Sequence, residues 1–163
     1  MSDRVPMTPQ GHARIEEEFK RLKSEERPKI VKEIEVARAH GDLAENAEYH
    51  AAKERQSHIE GRIALLEDKL ARAQLIDGSG QPTDRVSFVA TVMLSAAETG
   101  DEVSYRIVGE DEADVTQGLI SITSPIARAL MVKELDAVVQ VRVPKGTREF
   151  EILEISFEPP PSD

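Results

Sequence analysis

Between residues 11 and 40 the apolar positions Ile15, Phe19, Leu22, Ile30, Ile34 and Ala37 recur at steps of three, four or their multiples, the spacing of one helical face rather than the alternation of a strand. Thr8-Pro9 supplies a start, with Thr8 as N-cap and Pro9 in the first turn, Pro28 is expected to disturb the helix locally, and Gly41 is expected to stop it. A second helix is predicted over 43–75, with Ala47, Ala51, Ile59, Ile63, Leu66, Leu70 and Ala73 on its narrow apolar stripe and Glu60, Arg62, Glu67, Asp68 and Lys69 on its polar face. Two such helices joined by a few residues must run antiparallel and bury their stripes on each other as a coiled-coil hairpin. About 30 residues at about 1.5 Å each make a rod of about 45 Å with its turn at the far end.

Around Asp77-Gly78-Ser79-Gly80-Gln81-Pro82 the helical period gives way to turn residues. Beyond it, runs at 86–94, 103–108, 119–122, 137–143 and 150–157 are short, rich in β-branched residues and separated by signals such as Thr99-Gly100-Asp101 and Pro144-Lys145-Gly146. These predict a small antiparallel sheet, interrupted by one short helix over 125–132. The expected class is α+β, with a hairpin at 1–76, a linker at 77–84, a sheet domain at 85–158 and a disordered proline-rich tail at 159–163.

Composition narrows the chemistry. The 163 residues include 21 basic and 31 acidic side chains, no cysteine and no tryptophan. Without cysteine there are no disulfides, thiolate zinc sites or cysteine nucleophiles. The net charge is −2 over residues 1–80 and −8 over 81–163, so neither half is suited to free nucleic acid through phosphate neutralisation. If RNA or DNA is involved, another protein must hold both parties together. Residues 1–7 lack a signal-peptide pattern, and no stretch approaches the roughly 18 apolar residues of a membrane span. The expectation is a soluble cytoplasmic protein without membrane contact.

The predicted turn carries the candidate chemistry. Asp42, Glu45 and Glu48 fall within seven residues at a spacing of three, which places them on one face of a helix. Asp42 and Glu45 fit a capping box, in which both carboxylates close a helix N-terminus. They equally fit half of a divalent-metal site completed by whatever the rod enters, since magnesium shares carboxylates and keeps waters. The two readings are compatible, and Asn separates them because it caps well and binds magnesium poorly. Arg38 and Lys53 flank the acidic turn; they read either as ordinary ion pairs or as a grip on a phosphate backbone. His12, His40, His50 and His58 show no metal-ligand spacing and read as surface residues. No phosphate loop, G-x-S-x-G elbow or catalytic triad pattern is present.

With these residues in view, the sequence closely resembles the Gre transcript-cleavage factors of bacterial RNA polymerase, the A type more than the B type. The resemblance rests on Pro6-Met7-Thr8, Arg27-Pro28-Lys29-Ile30-Val31 and His40-Gly41-Asp42-Leu43-Ala44-Glu45-Asn46-Ala47-Glu48-Tyr49-His50. It continues through Glu60-Gly61-Arg62-Ile63, Tyr105-Arg106-Ile107-Val108-Gly109-Glu110-Asp111-Glu112-Ala113-Asp114 and Ser124-Pro125-Ile126-Ala127-Arg128. It implies a coiled-coil finger that enters the polymerase's secondary channel and an FKBP-like second domain that docks at the channel rim through Ser124, Pro125 and Ile126. It further implies that Asp42 and Glu45 help hold the polymerase's second Mg2+ and a water, so that backtracked RNA is cut and its new 3′ end extended. Glu48 and Tyr49 would support the tip. Mg2+ is expected only when shared with the polymerase, with none bound by the chain alone, and the factor is expected to be a monomer and not an enzyme in itself. Val89 and Val132 depart from the resemblance, standing where the family frequently has glycine.

Two other readings remain at this point. Prolyl isomerisation would need an aromatic pocket, for which residues 81–163 offer only Phe88, Tyr105, Phe150 and Phe157, and these are more simply core. A purely structural coiled-coil adaptor predicts that neutralising the tip has no effect.

Overall fold

The computed structural model describes residues 3–42 and 45–161. The described residues form two compact units, one of Asp3 with residues from 12 to 73, the other of residues 4–11 and 74–161.

In the first unit the descending arm is α1 (Pro9–Arg21), a π-helical turn at Leu22–Glu26 and α2 (Arg27–Arg38). Pro28 explains the interruption, because it has no N–H to donate to the carbonyl four residues back. The chain absorbs the loss as one wider turn, in which the Arg27 N–H donates to the Leu22 carbonyl. The returning arm α3 (Ala47–Arg72) is continuous and spans about 39 Å at about 1.5 Å per residue. It begins four residues later than the expected start at 43 and ends three earlier than 75, and Leu43 and Ala44 lie outside the described residues. Ile15, Leu22, Ile30, Ile34 and Ala37 of the first arm are buried as expected. On α3 the buried stripe is Ala52, Ile63 and Leu66, whereas Ala47 and Ala51, expected on it, are exposed. Three exposed interhelical pairs line the hairpin: Arg62 to Glu18 at 2.7 and 2.9 Å, Arg27 to Glu60 at 2.7 and 2.8 Å, and Arg55 to Glu33 at 2.7 Å. Hydrogen bonds from Arg62 hold the Glu18 carboxyl below its usual range, and those from Arg27 do the same for Glu60. At the surface such pairs align the arms more than they stabilise them.

The second unit contains a five-stranded sheet in the order β5-β4-β3-β7-β6, built from β3 (Thr91–Ala96), β4 (Glu102–Val108), β5 (Leu119–Ser121), β6 (Val138–Val143) and β7 (Gly146–Ser156). The sheet is mixed, not antiparallel as expected, because β4 and β5 run parallel. The linking segment 109–118 makes two short 3-10 turns and so returns the chain in the same direction. A second, two-stranded sheet pairs β1 (Val5–Met7) with β2 (Ala73–Leu75), where the sequence suggested the end of the long helix. Helix α4 (Pro125–Leu130) buries Ala127 and Leu130 in the core.

The apolar run before β3 is not a strand. Val86, Phe88, Val89 and Ala90 are buried in a loop that reverses at Val89, whose φ is +75°. It is tied to the segment after α4 by Val86 N–H to the Lys133 carbonyl at 2.8 Å and Val132 N–H to the Val86 carbonyl at 3.0 Å. Val132 also has a positive φ, +60°. Val89 and Val132 thus both sit in the left-handed region, where a β-branched residue is strained by about 1–2 kcal/mol. Their side chains differ: Val89 is 2% exposed and Val132 71%. Val132→Gly relieves strain with almost no lost burial, so it should raise the melting temperature by about 2–4 °C, a gain of about 1 kcal/mol. Val89→Gly forfeits a buried side chain worth about 1.5–3 kcal/mol and should not stabilise. Calorimetry of the two variants checks the contrast.

Candidate functional site: the acidic turn and its supports

The turn between α2 and α3 is built by Asn46. Its backbone is extended, with φ −85° and ψ 96°, and its side-chain oxygen accepts the Tyr49 N–H at 3.0 Å. Its amide nitrogen donates to the Ala37 carbonyl at 2.6 Å. One side chain therefore closes the N-terminus of α3 and a carbonyl in the last turn of α2, which requires a group that both accepts and donates. Gly41, at φ +101°, carries the chain out of α2.

This corrects the capping reading of the acidic pair. Asp42 and Glu45 precede the helix, so they neither cap α3 nor share a helical face with Glu48, which alone of the three is helical. Both are exposed. Sequence reasoning passed over Asn46 because Asp42-x-x-Glu45 matched a capping box, yet Asn is an equally favoured cap and stands at the true boundary. Tyr49 is half-buried and packs against Ile30, Ile34 and Ala52, while its ring meets that of His50 edge to face with centroids 5.6 Å apart. Glu48 approaches His40 at 3.9 Å. Arg38 is exposed in the last turn of α2. Lys53 donates to Gln56 at 3.1 Å, not to a carboxylate. Among the described residues no group of three His, Cys, Asp or Glu side chains is disposed to hold a metal. The turn presents the exposed carboxylates of Asp42 and Glu45, which are hard oxygen donors.

In the second unit Ser124 is the N-cap of α4, accepting the Ala127 N–H at 3.3 Å and donating to the Ser121 carbonyl at 2.7 Å. Pro125 is exposed and Ile126 is half-buried against the core, so the exposed part of this candidate docking segment is its proline. The four aromatic residues Phe88, Tyr105, Phe150 and Phe157 all belong to the core or pack on it.

The residue that sequence reasoning missed outright is Glu112. Its side chain is buried, 6% exposed, and its carboxylate accepts the Thr8 N–H at 3.0 Å, the Thr8 hydroxyl, and the Gly109 N–H at 3.0 Å. Thr8 in turn accepts the Gly11 N–H at 3.1 Å as the N-cap of α1. Glycine is required at both contacts. A Cβ on Gly11 would lie 2.3 Å from the Glu112 carboxyl carbon, and one on Gly109 2.9 Å from the Pro6 carbonyl oxygen.

The two-helix arm with exposed carboxylates at its turn and the mixed-sheet unit each match a known family. Residues 5–75 match the family described as "Transcription elongation factor, N-terminal", and residues 81–157 the one described as "Transcription elongation factor, GreA/GreB, C-term". The chain belongs to the GreA/GreB family of transcription elongation factors. It is 62% identical over 154 residues to the transcription elongation factor GreA of Anaeromyxobacter sp. (strain K), covering 94% of this chain and 93% of that protein. To the GreA of Hyphomonas neptunium it is 56% identical over 156 residues, 96% of this chain and 99% of that one. Among solved structures, that of the transcription factor Gfh1 is 29% identical with a TM-score of 0.45, covering 95% and 99% of the two chains. No helix among the described residues is long and apolar enough to cross a membrane.

Proposed function

We propose that this chain binds bacterial RNA polymerase in the cytoplasm as a monomeric accessory factor, inserts its hairpin into the secondary channel and stimulates the polymerase's own cleavage of backtracked RNA. The observation that carries this reading is the exposed pair Asp42 and Glu45 at the turn of a hairpin arm, just before a helix whose N-cap is Asn46. Both are exposed carboxylates, hard oxygen donors of the kind a partner's divalent cation takes. Asp42 and Glu45 would hold the Mg2+ shared with the polymerase, which when bound supplies charge stabilisation and an activated water. Arg38 and Lys53 would face the RNA backbone, Glu48 and Tyr49 would keep the turn in shape, and Ser124, Pro125 and Ile126 would contact the channel rim.

Two carboxylates provide too few ligands and no phosphate site for catalysis by the chain alone. In a purified stalled elongation complex, adding the factor should shorten the RNA from its 3′ end and restore extension. The factor and magnesium without polymerase should leave the same RNA intact. Cleavage by the factor alone would make it a nuclease, and no cleavage in the complex would reduce the hairpin to a structural adaptor.

A further inference from the structure

The five-stranded sheet ends in two strands, β5 and β6, whose free sides differ. β5 has only three residues, and the Asp114 backbone bridges its outer side: the Asp114 N–H donates to the Leu119 carbonyl at 2.8 Å, and the Asp114 carbonyl accepts the Leu119 N–H at 3.0 Å. The tail, expected to be disordered from residue 159, borders the same end of the sheet through Pro159, Pro160 and Pro161, beside Met93 and Tyr105; residues 162 and 163 lie outside the described residues. β6 is open. It runs for six residues in unbroken register with β7, and no described strand pairs with its other side. The Ile152 N–H donates to the Ala137 carbonyl at 2.9 Å. Ala137, Val139, Val141 and Val143 therefore turn their backbone groups to β7, and Val138, Gln140 and Arg142 turn theirs outward. Sheet edges are usually blunted by a bulge, a proline or an inward-pointing charge. β6 has none of these; its one charge, Arg142, is on the outer face, and Val138 is 59% exposed. Charge along the edge is uneven. Glu134 and Asp136 precede the strand and Glu151 lies beside Val138, whereas Arg142 and Lys145 stand at the end that turns into β7, all of them exposed.

We propose that this edge pairs with β6 of a second copy of the chain, antiparallel about a two-fold axis at Gln140. Gln140 then meets its own counterpart, and Val138 of each copy stands level with Arg142 of the other. All three outward-facing residues of both strands exchange N–H···O bonds in this register. The charges agree with it. Arg142 lies two strand spacings, about 10 Å, from Glu151 of the other copy across Val138, a gap that an arginine and a glutamate side chain span together. Lys145 approaches Glu134 and Asp136 of the other copy. A parallel alignment would instead set Arg142 against Arg142 and acid against acid. Being two-fold, the contact closes at two copies and does not run on into a fibre. Six residues a side are far fewer than the roughly 20–30 of a standard interface, and the net charge of −10 opposes association. The pair is therefore weak and belongs to the free chain at high concentration, while the form proposed to act on the polymerase is the monomer.

The test follows the full-length chain by sedimentation equilibrium up to about millimolar concentration, with the amide resonances of Val138, Gln140 and Arg142 recorded over the same range. A monomer–dimer equilibrium is expected, and those three amides should shift as the dimer forms. Arg142→Glu and Glu151→Arg should each weaken pairing by about tenfold, because each variant sets like charges across the two-fold. An equimolar mixture of the two variants should pair again, since every such contact between unlike copies then joins opposite charges. Gln140→Pro removes an outward N–H that the β6–β7 ladder does not use, so it should abolish pairing while the far-UV spectrum stays unchanged. Should that variant unfold, the charge variants decide alone. A monomer throughout the range, or a dimer whose three strand amides do not move, would overturn the proposal. So would association that neither charge variant weakens, and a mixture that fails to pair would overturn the two-fold register.

Discussion

Replacing Glu112 with alanine should cost about 3–5 kcal/mol of stability, the largest loss expected from any single substitution of a charged residue in this chain. The Thr8 and Gly109 N–H groups would be left buried without acceptors, each worth about 1–3 kcal/mol, and the Thr8 hydroxyl would lose its acceptor. The carboxylate also lies at the N-terminus of α1, where helix polarity favours negative charge. Glu112→Gln keeps an oxygen for both N–H groups and turns an amide toward Thr8, so it should cost only about 1–2 kcal/mol, the difference between charge-assisted and neutral hydrogen bonds. Amide exchange at Thr8 and Gly109 reports the clamp directly: both should be protected in the unsubstituted chain and exchange much faster in Glu112→Ala. Thr8→Ala, damaging by itself, should add little on top of Glu112→Ala, because both remove the same contacts. A loss below about 1 kcal/mol for Glu112→Ala would mean that water already serves these groups.

Glu112 also marks the limit of what the sequence discloses. Within a run reading Gly109-Glu110-Asp111-Glu112-Ala113-Asp114 nothing distinguishes the buried carboxylate from its exposed neighbours, and its partner Thr8 lies 104 residues away. The local half of the same clamp was legible: Thr8-Pro9 announces a helix start, and Thr8 caps α1 as that spacing requires. The same contrast recurs elsewhere. Period and Pro28 foretold two arms and a defect in the first of them. They could not tell that Ala52 and not Ala51 turns inward, since both fit a helical stripe. The apolar run beginning at Val86 has strand composition, but Val89 at positive φ and the ties to Val132 and Lys133 make it a buried loop. The parallel pairing of β4 with β5 follows from two short turns whose residues carry no strong local signal. At the acidic turn two candidate caps stood four residues apart, and tertiary context chose the one whose side chain could also donate to α2.

That choice sharpens the second large effect. With Asn46 as cap, Asp42→Asn and Glu45→Gln leave the closing side chain of α3 in place and keep an acceptor oxygen at each position, so hairpin stability should change by less than about 1 kcal/mol. Under the proposed sharing of Mg2+ with the polymerase the effect on activity differs, because a neutral amide oxygen would replace an anionic ligand of a hard cation. Stimulated transcript cleavage should therefore fall by orders of magnitude for the pair of substitutions, with raised magnesium restoring only part of it. Polymerase binding should persist, so the double variant should compete with the unsubstituted chain in the cleavage assay. Asn46→Asp provides the opposite case. It retains an acceptor for the Tyr49 N–H but loses the donor to the Ala37 carbonyl and places two acceptors face to face, which should destabilise the hairpin by about 1–2 kcal/mol. All the tip carboxylates survive in that variant. Its cleavage should decline only as far as the turn loosens and should recover at lower temperature, whereas the Asp42→Asn and Glu45→Gln loss should persist there. Full cleavage by Asp42→Asn at limiting magnesium would remove Asp42 from the metal's ligands and leave Glu45 alone to account for the activity.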